Sequence, residues 1–230
     1  MSIEIEEKKL DNKISKLINW IKKQVTDAGK KGLIFGLSGG IDSALVAVLC
    51  KKAFPDNVTA LILPCESQAS DIDDAINIIN KYNLDYKTIN LTPVYQLLGS
   101  LIGINGSKIA KANIKPRLRM IVLYYFANLQ DYLVVGTGNK SEISIGYFTK
   151  YGDGGVDILP LGNILKTEVS AMAEHLHIPE KIISKKPSAG LWENQTDEKE
   201  MGFTYHQLDS FLSDGKIEDE NLKNKIIKMN

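Results

Sequence analysis

Cysteine and histidine are scarce in this 230-residue chain, which has two of the first, Cys50 and Cys65, and three of the second. No CxxC pair occurs, and no His/Cys spacing of the kind that holds zinc. Both cysteines lie in apolar or strand-end surroundings, which reads as buried thiols rather than nucleophiles. An excess of one charge is also missing. Lys plus Arg and Asp plus Glu each number 28, so a surface built chiefly to grip nucleic acid is not expected. No run approaches the roughly 18 apolar residues of a membrane span. The N-terminus, with Ile3, Glu4, Glu6 and Glu7, is acidic and amphipathic, unlike a secretion signal. The expectation is a cytoplasmic protein with no membrane or nucleic-acid partner, long enough for one well-buried domain.

Leu10, Ile14, Leu17, Ile18, Ile21 and Val25 recur at steps of three and four, which predicts an amphipathic helix ended by Lys30-Lys31-Gly32. Residues 33–37 read as a short buried strand, 44–54 as a helix, and 58–63 as a second strand ended by Pro64. A helix over about 71–82 presents Ile72, Ala75, Ile76 and Ile79 on one face, and 86–90 is a third strand in which polar residues alternate. Residues 93–98 suggest a short helix and 107–129 a longer one, its first half interrupted by Pro116. Residues 132–136 form a further buried strand. Beyond it, 146–162 is rich in glycine without a regular pattern, Val169 to Leu176 is helical, 184–202 is polar and loop-like, and 217–230 is a charged helix. Strands alternating with helices predict an α/β fold: a doubly wound, mostly parallel sheet with helices on both faces, in one domain over 1–230.

The sharpest local feature is Ser38-Gly39-Gly40-Ile41-Asp42-Ser43, between the strand that carries Gly36 and Leu37 and the next helix. Adjacent glycines let the backbone turn tightly and bring its N–H groups up to a ligand. Those groups, the positive end of the following helix and the Ser38 and Ser43 hydroxyls together make an anion cradle. It stands beyond the C-terminal end of a strand, where open α/β sheets place ligands. No lysine follows the glycines, so this is not the Walker loop. Asp42 beside phosphates makes sense if it holds a divalent cation, since like charges otherwise repel. The plainer alternative is a strand-to-helix turn capped by Asp42 and Ser43.

Ser-Gly-Gly-x-Asp-Ser resembles the PP-loop of the ATP pyrophosphatases, with their adenine nucleotide alpha hydrolase-like fold. Members of that superfamily cleave ATP between the α and β phosphates and pass through an adenylated intermediate. Further runs narrow the resemblance: Gly136-Thr137-Gly138-Asn139-Lys140-Ser141-Glu142, then Phe148-Thr149-Lys150-Tyr151-Gly152-Asp153-Gly154-Gly155, and upstream Asn113 with Arg117, Arg119 and Met120. These are similar to elements of the ammonia-dependent NAD synthetase family, and the likeness extends to Lys185-Lys186-Pro187-Ser188.

That resemblance implies that Gly36, Leu37, Ser38, Gly39, Gly40, Ile41, Asp42, Ser43, Thr137, Lys166 and Ser188 contact ATP, with serine at 188 where the family has threonine. It implies that Arg117, Lys150 and Asp157 hold deamido-NAD, that Asp42 and Glu142 bind Mg²⁺, and that Asp42, Glu142 and Lys166 form the catalytic set. Each position has a plainer reading. Glu142 suits a helix N-terminus, Thr137 a helix cap, and Arg117 a solvated ion pair. A homodimer is implied too, with the helix of Tyr124, Tyr125 and Phe126 as its candidate interface. The chain departs from the family at Ile62, where some relatives carry arginine, and in having no His-Lys pair before Asn230. His175, His177 and His206 are given no role.

The activity so implied is amidation of deamido-NAD by ammonia, with ATP giving AMP and pyrophosphate. A carboxylate resists amidation because its leaving group would be oxide; adenylation makes the leaving group a phosphate monoester. No amidase segment with its own cysteine nucleophile is evident, so free ammonia is the expected donor. Two alternatives stay open: another PP-loop enzyme that adenylates a different carboxylate or a tRNA base, and a nucleotide sensor without turnover. Residues 146–155 and 184–202 are candidate lids.

Overall fold

The computed structural model describes residues 2–103, 106–192, 195–215 and 219–229, and the side chains of these from residue 7 onward. Helix α1 (Ser2–Asp27) ends where Gly29 takes a φ of +62°, and the chain turns into β1 (Gly32–Gly36). Then come α2 (Ile41–Ala53), β2 (Val58–Ile62), α3 (Ala69–Tyr82) and β3 (Asp85–Thr88). Three helices follow, α4 (Thr92–Ile102), α5 (Lys108–Ala112) and α6 (Ile114–Gln130), before β4 (Tyr132–Val134). The C-terminal part adds α7 (Lys140–Ser144), α8 (Lys166–His175), α9 (Glu180–Ile183), α10 (Asp197–Met201), α11 (Tyr205–Asp214) and α12 (Glu220–Met229).

The strands form one parallel sheet in the order β3-β2-β1-β4, with a bridge from Val135 to Ile158 extending it beyond β4. Side chains alternate across a strand, and β1 shows the consequence directly. Leu33 and Phe35 join Val58, Ala60 and Ile62 in a core under α1, α2, α3 and α8, whereas Ile34 joins Leu61 and Val134 in a second core under α6. Both faces are therefore covered, and each fully buried Leu, Ile or Phe contributes about 1.5–3 kcal/mol. A third, smaller cluster gathers Ile145, Met201, Phe203, Tyr205, Leu208 and Ile226 around α10, α11 and α12. Among the described residues no helix is long and apolar enough to cross a membrane.

The doubly wound class predicted from the alternation of elements is the one observed. The long helix expected over 107–129 is two helices that meet at Asn113, the C-cap of α5 and the N-cap of α6. Restarting there puts Pro116 in the first turn of α6, where its missing N–H costs no intrahelical bond. Strand β3, expected over 86–90, covers Asp85–Thr88 and is exposed along its length. Residues 184–202, read as loop, also carry α10, and the predicted tail helix starts at Glu220, Ile217 lying outside the described residues.

Chain order fixes where a ligand fits. From β1 the crossovers lead outward one way to β2 and β3, and then back across to β4 on the other side. The C-terminal ends of β1 and β4 thus flank the point where the winding reverses, the crevice in which open α/β sheets hold ligands.

Candidate active site

After β1, Gly39 adopts a φ of +80°, and a Cβ there would lie 2.2 Å from the Asp71 carbonyl oxygen at the start of α3. Only glycine lets this turn lie against that helix. The turn is held internally: the Ser38 N–H donates to Ser43 Oγ at 3.2 Å, the two serine hydroxyls are 3.1 Å apart, and Ser43 Oγ donates to the Gly40 carbonyl at 2.9 Å. Gly40 is the N-cap of α2, and no side chain caps that helix. Asp42 and Ser43 are thus not capping residues, and the first N–H groups of α2 stay open for an anion. Leu37 and Ile41 are buried in the core and Gly36 ends β1, so these three can serve a ligand only through their backbone.

Asp42 points across to the end of β4. Its Oδ1 accepts from Asn139 Nδ2 at 2.8 Å, and its Oδ2 pairs with the Lys166 ammonium. Lys166 Nζ is also 3.4 Å from Glu142 Oε1. Glu142 is set by a capping box on α7. Asn139 Oδ1 accepts its N–H at 3.0 Å, and Glu142 Oε2 accepts the Asn139 N–H at 3.1 Å. The glutamate at a helix N-terminus, its plainer reading, is therefore real, and its other oxygen still faces Asp42 and Lys166. Thr137 does not cap α7; Asn139 does.

Burial, reinforced by the Asp42 charge, pushes the Glu142 carboxyl up to about 7 despite Lys166. Burial alone would lower the Lys166 ammonium, but Asp42 and Glu142 outweigh it and hold it above the usual lysine range. The cluster is short of positive charge: one buried ammonium faces two part-buried carboxylates. Lys166 is itself fixed at the first turn of α8, where its N–H donates to Ser141 Oγ at 3.0 Å, and the Thr167 N–H donates to Asp209 Oδ2 at 2.8 Å.

A second group stands on the α6 face. Arg117 Nε donates to the Lys150 carbonyl at 3.1 Å, and Tyr124 OH donates to Asp157 Oδ1 at 3.0 Å. Asp157 Oδ2 also accepts the Val134 N–H at 2.7 Å, so the glycine-rich segment is pinned to β4. Arg117, Lys150 and Asp157 are all exposed, and Arg117 forms no ion pair among the described residues. Ser188 is exposed as well, its hydroxyl accepting the Gly190 N–H at 3.1 Å. Cys50 and Cys65 are buried free thiols, as expected from their surroundings.

Three polar residues of the site were not singled out from the sequence. Asn139 carried a signal, since Asn-x-x-Glu ahead of a helix is a capping pattern. Asp197 and Tyr205 carried none. They are buried beside Glu142, with Tyr205 OH 3.0 Å from Asp197 Oδ2 and 3.5 Å from Glu142 Oε1.

The chain is 54% identical over 210 residues to an NH(3)-dependent NAD(+) synthetase of Carboxydothermus hydrogenoformans, covering 90% of this chain and 86% of that one. Its fold is similar to that of an NMN synthetase from Francisella tularensis, with a TM-score of 0.92, 40% identity and 96% and 92% of the two chains covered. It is also similar to an NH3-dependent NAD synthetase from Campylobacter jejuni, with a TM-score of 0.79, 32% identity and the same coverage. The NAD synthase family profile matches residues 13–230. With the match running from α1 to the last helix and taking in the glycine turn, both carboxylates and the lysine, the chain belongs to the NAD synthase family.

Proposed function

We propose that this chain is a ligase that makes NAD from deamido-NAD, ATP and free ammonia in the site around Lys166. Relatives named for ammonia-dependent NAD synthesis support both the reaction and its nitrogen donor. The observation that carries the reading is the Lys166 ammonium held between Asp42 and Glu142 at the ends of β1 and β4.

The chain's own groups divide the work. The Ser38–Ser43 turn offers backbone N–H groups, two hydroxyls and the positive end of α2 to the triphosphate. Lys166 stands where negative charge grows as pyrophosphate leaves. Thr137 and Ser188 border the nucleotide. The substrate carboxylate oxygen attacks the α-phosphorus, and the P–O bond to pyrophosphate breaks. Ammonia nitrogen then bonds the acyl carbon, AMP leaves with the C–O electron pair, and the nitrogen sheds a proton. Arg117, Lys150 and Asp157 hold the dinucleotide, Arg117 through the paired N–H groups that suit phosphate or carboxylate. A site with two part-buried carboxylates and one ammonium fits a divalent cation, which prefers one or two protein carboxylates plus phosphate oxygens. Asp42 and Glu142 would hold Mg²⁺, whose charge would neutralise the triphosphate.

The exposed stripe of Ile121, Tyr125 and Leu129 on α6, beside Val94, Leu97 and Leu101 of α4, supports a homodimer with these helices at its interface. Residues 1–230 act as one cytoplasmic synthetase domain in this reading.

A second reading concerns the substrate alone. The likeness to an NMN synthetase, at a TM-score of 0.92, favours testing deamido-NMN beside deamido-NAD. The same adenylation serves either carboxylate. The experiment supplies ATP, Mg²⁺ and ammonium with each acid in turn and follows AMP and the amide. NAD formed in step with AMP upholds the proposal, and a strong preference for deamido-NMN moves it to the mononucleotide. ADP as product, or AMP release indifferent to both acids, discards it. Asp42→Ala is expected to abolish pyrophosphate release with the fold intact.

A further inference from the structure

Arg117 and Arg119 are two residues apart on α6, so their side chains leave the helix in nearly opposite directions. Arg117 turns outward and is exposed, whereas Arg119 is half-buried and turns toward the C-terminal end of β2. There its Nε donates to the Leu63 carbonyl at 3.0 Å, and its Nη2 donates to Ser67 Oγ at 3.3 Å. Ser67 Oγ also accepts the Cys65 N–H at 3.2 Å, so the connection from β2 to α3 is built around these contacts.

Both acceptors are uncharged. A guanidinium carries five N–H groups, and among the described residues the other three of Arg119 meet no protein acceptor and no carboxylate within ion-pair distance. Burial lowers the guanidinium from its ordinary value, and Asp153 and Asp71 oppose this only from beyond bonding distance. A cation drawn out of water and held by neutral groups is costly to keep unless an anion completes it. Its two acidic neighbours locate it within the site. Asp71 supplies the carbonyl against which Gly39 packs. Asp153 belongs to the glycine-rich segment of Lys150, its Oδ1 accepting the Thr149 N–H at 3.0 Å. Arg119 therefore stands between the support of the nucleotide turn and the segment assigned to the dinucleotide.

We infer that Arg119 is a further substrate-binding residue of this site, its free planar N–H groups receiving an anionic phosphate or carboxylate oxygen of a bound substrate. The contacts to Leu63 and Ser67 fix the plane of the guanidinium in advance, so the remaining donors meet the ligand without a search for their rotamer. An ammonium on a flexible stem has no such plane to fix, which is why arginine rather than lysine suits the position. The inference rests on the site reading above, with ATP at the glycine turn and deamido-NAD beside Lys150.

The test titrates the full chain calorimetrically with Mg²⁺ and α,β-methylene-ATP, and separately with deamido-NAD. It compares the wild type, Arg119→Gln and Arg119→Lys, with melting temperatures taken without ligand. Arg119→Gln should bind one of the two ligands about tenfold or more weakly, as expected for a lost hydrogen bond to a charged group, and the other within about threefold. Arg119→Lys keeps the charge but not the fork and should lose at least about threefold on the same ligand. Melting without ligand should stay within about 3 °C of the wild type, because a cation with no carboxylate partner adds little to the fold. A loss confined to the ATP analogue assigns the guanidinium to the triphosphate, and a loss confined to deamido-NAD assigns it to the dinucleotide; either upholds the inference. Wild-type affinity for both ligands overturns it. So does an equal loss on both, the mark of a strut between α6 and β2 that touches no ligand. Should Arg119→Gln fail to fold, Arg119→Lys decides by the same comparison. Neither titration needs turnover, so a chain that binds both ligands and makes no NAD counts against the proposed reaction, while Arg119 is judged on affinity alone.

Discussion

The Lys166 ammonium bridges Asp42 and Glu142, pairing with Asp42 Oδ2 and standing 3.4 Å from Glu142 Oε1, although the lysine and Asp42 are 124 residues apart in the chain. Lys166 is the one ammonium between two part-buried carboxylates, so its removal leaves both without their cationic partner.

Lys166→Met keeps the aliphatic stem and removes the one cation that both carboxylates share. Removing one partner of a buried charge pair costs about 3–5 kcal/mol, and a loss of that order is expected in urea denaturation without metal. Mg²⁺ should restore part of the stability. AMP formation should fall at least about 100-fold and stay low, as when a group that stabilises developing charge is deleted. Turnover near the wild-type rate would remove Lys166 from the site.

Gly39 and Gly40 are adjacent but not equivalent. At Gly39 a φ of +80° and a 2.2 Å approach to the Asp71 carbonyl leave no room for a Cβ, whereas at Gly40 the nearest atom, Ser38 Oγ, is 3.4 Å away. Gly39→Ala should therefore cost about 1–3 kcal/mol in backbone strain alone and abolish nucleotide binding, while Gly40→Ala should fold with nearly unchanged stability. Thermal unfolding and ATP titration of the pair check this. Equal behaviour of the two variants would show that the turn is not packed as described.

Burial and the Asp42 charge hold the Glu142 carboxyl near 7, above its unfolded value of 4.5. The folded state then binds the proton more tightly than the unfolded one, so stability falls as pH rises from about 4.5 to 7 and levels off beyond. Glu142→Gln cannot titrate. In metal-free buffer it should gain on the wild type across that window, by on the order of 3 kcal/mol, and lose activity at every pH. A pH series of melting temperatures for the two proteins tests the sign. A wild type that gains stability relative to Glu142→Gln between pH 5 and 7 contradicts it.

The apolar stripe on α6 leaves Ile121 67%, Tyr125 62% and Leu129 67% exposed. If this face joins two copies, Tyr125→Lys should shift the protein from dimer to monomer by light scattering without lowering the monomer's melting temperature. The KM for deamido-NAD should rise about tenfold or more, since Arg117 and Lys150 lie on the same side and losing one hydrogen bond to a charged group costs about 1.5–3 kcal/mol. Unchanged mass for this variant would place the interface elsewhere.

How much of this was legible in advance differs from residue to residue. The steps of three and four from Leu10 to Val25 and the apolar run at 33–37 announced α1 and β1, because burial on one or both faces leaves a period in the sequence. Pro116 marked an interruption but not the restart at Asn113 that accommodates it. Asn139 could have been read from its spacing to Glu142, since a capping box is local.

What the sequence by itself determined is whatever its neighbours along the chain dictate: the glycine turn after a buried strand, the two-sided sheet and, through its motifs, the family. Tertiary structure alone decided that Asp42 meets Asn139 and Lys166, and that Asp197 and Tyr205 stand beside Glu142. The physical reason is that a hydrophobic period records which face of an element is buried but not which element covers it. That choice is made by the strand order β3-β2-β1-β4, whose reversal brings the ends of β1 and β4 together and closes the polar cluster between them.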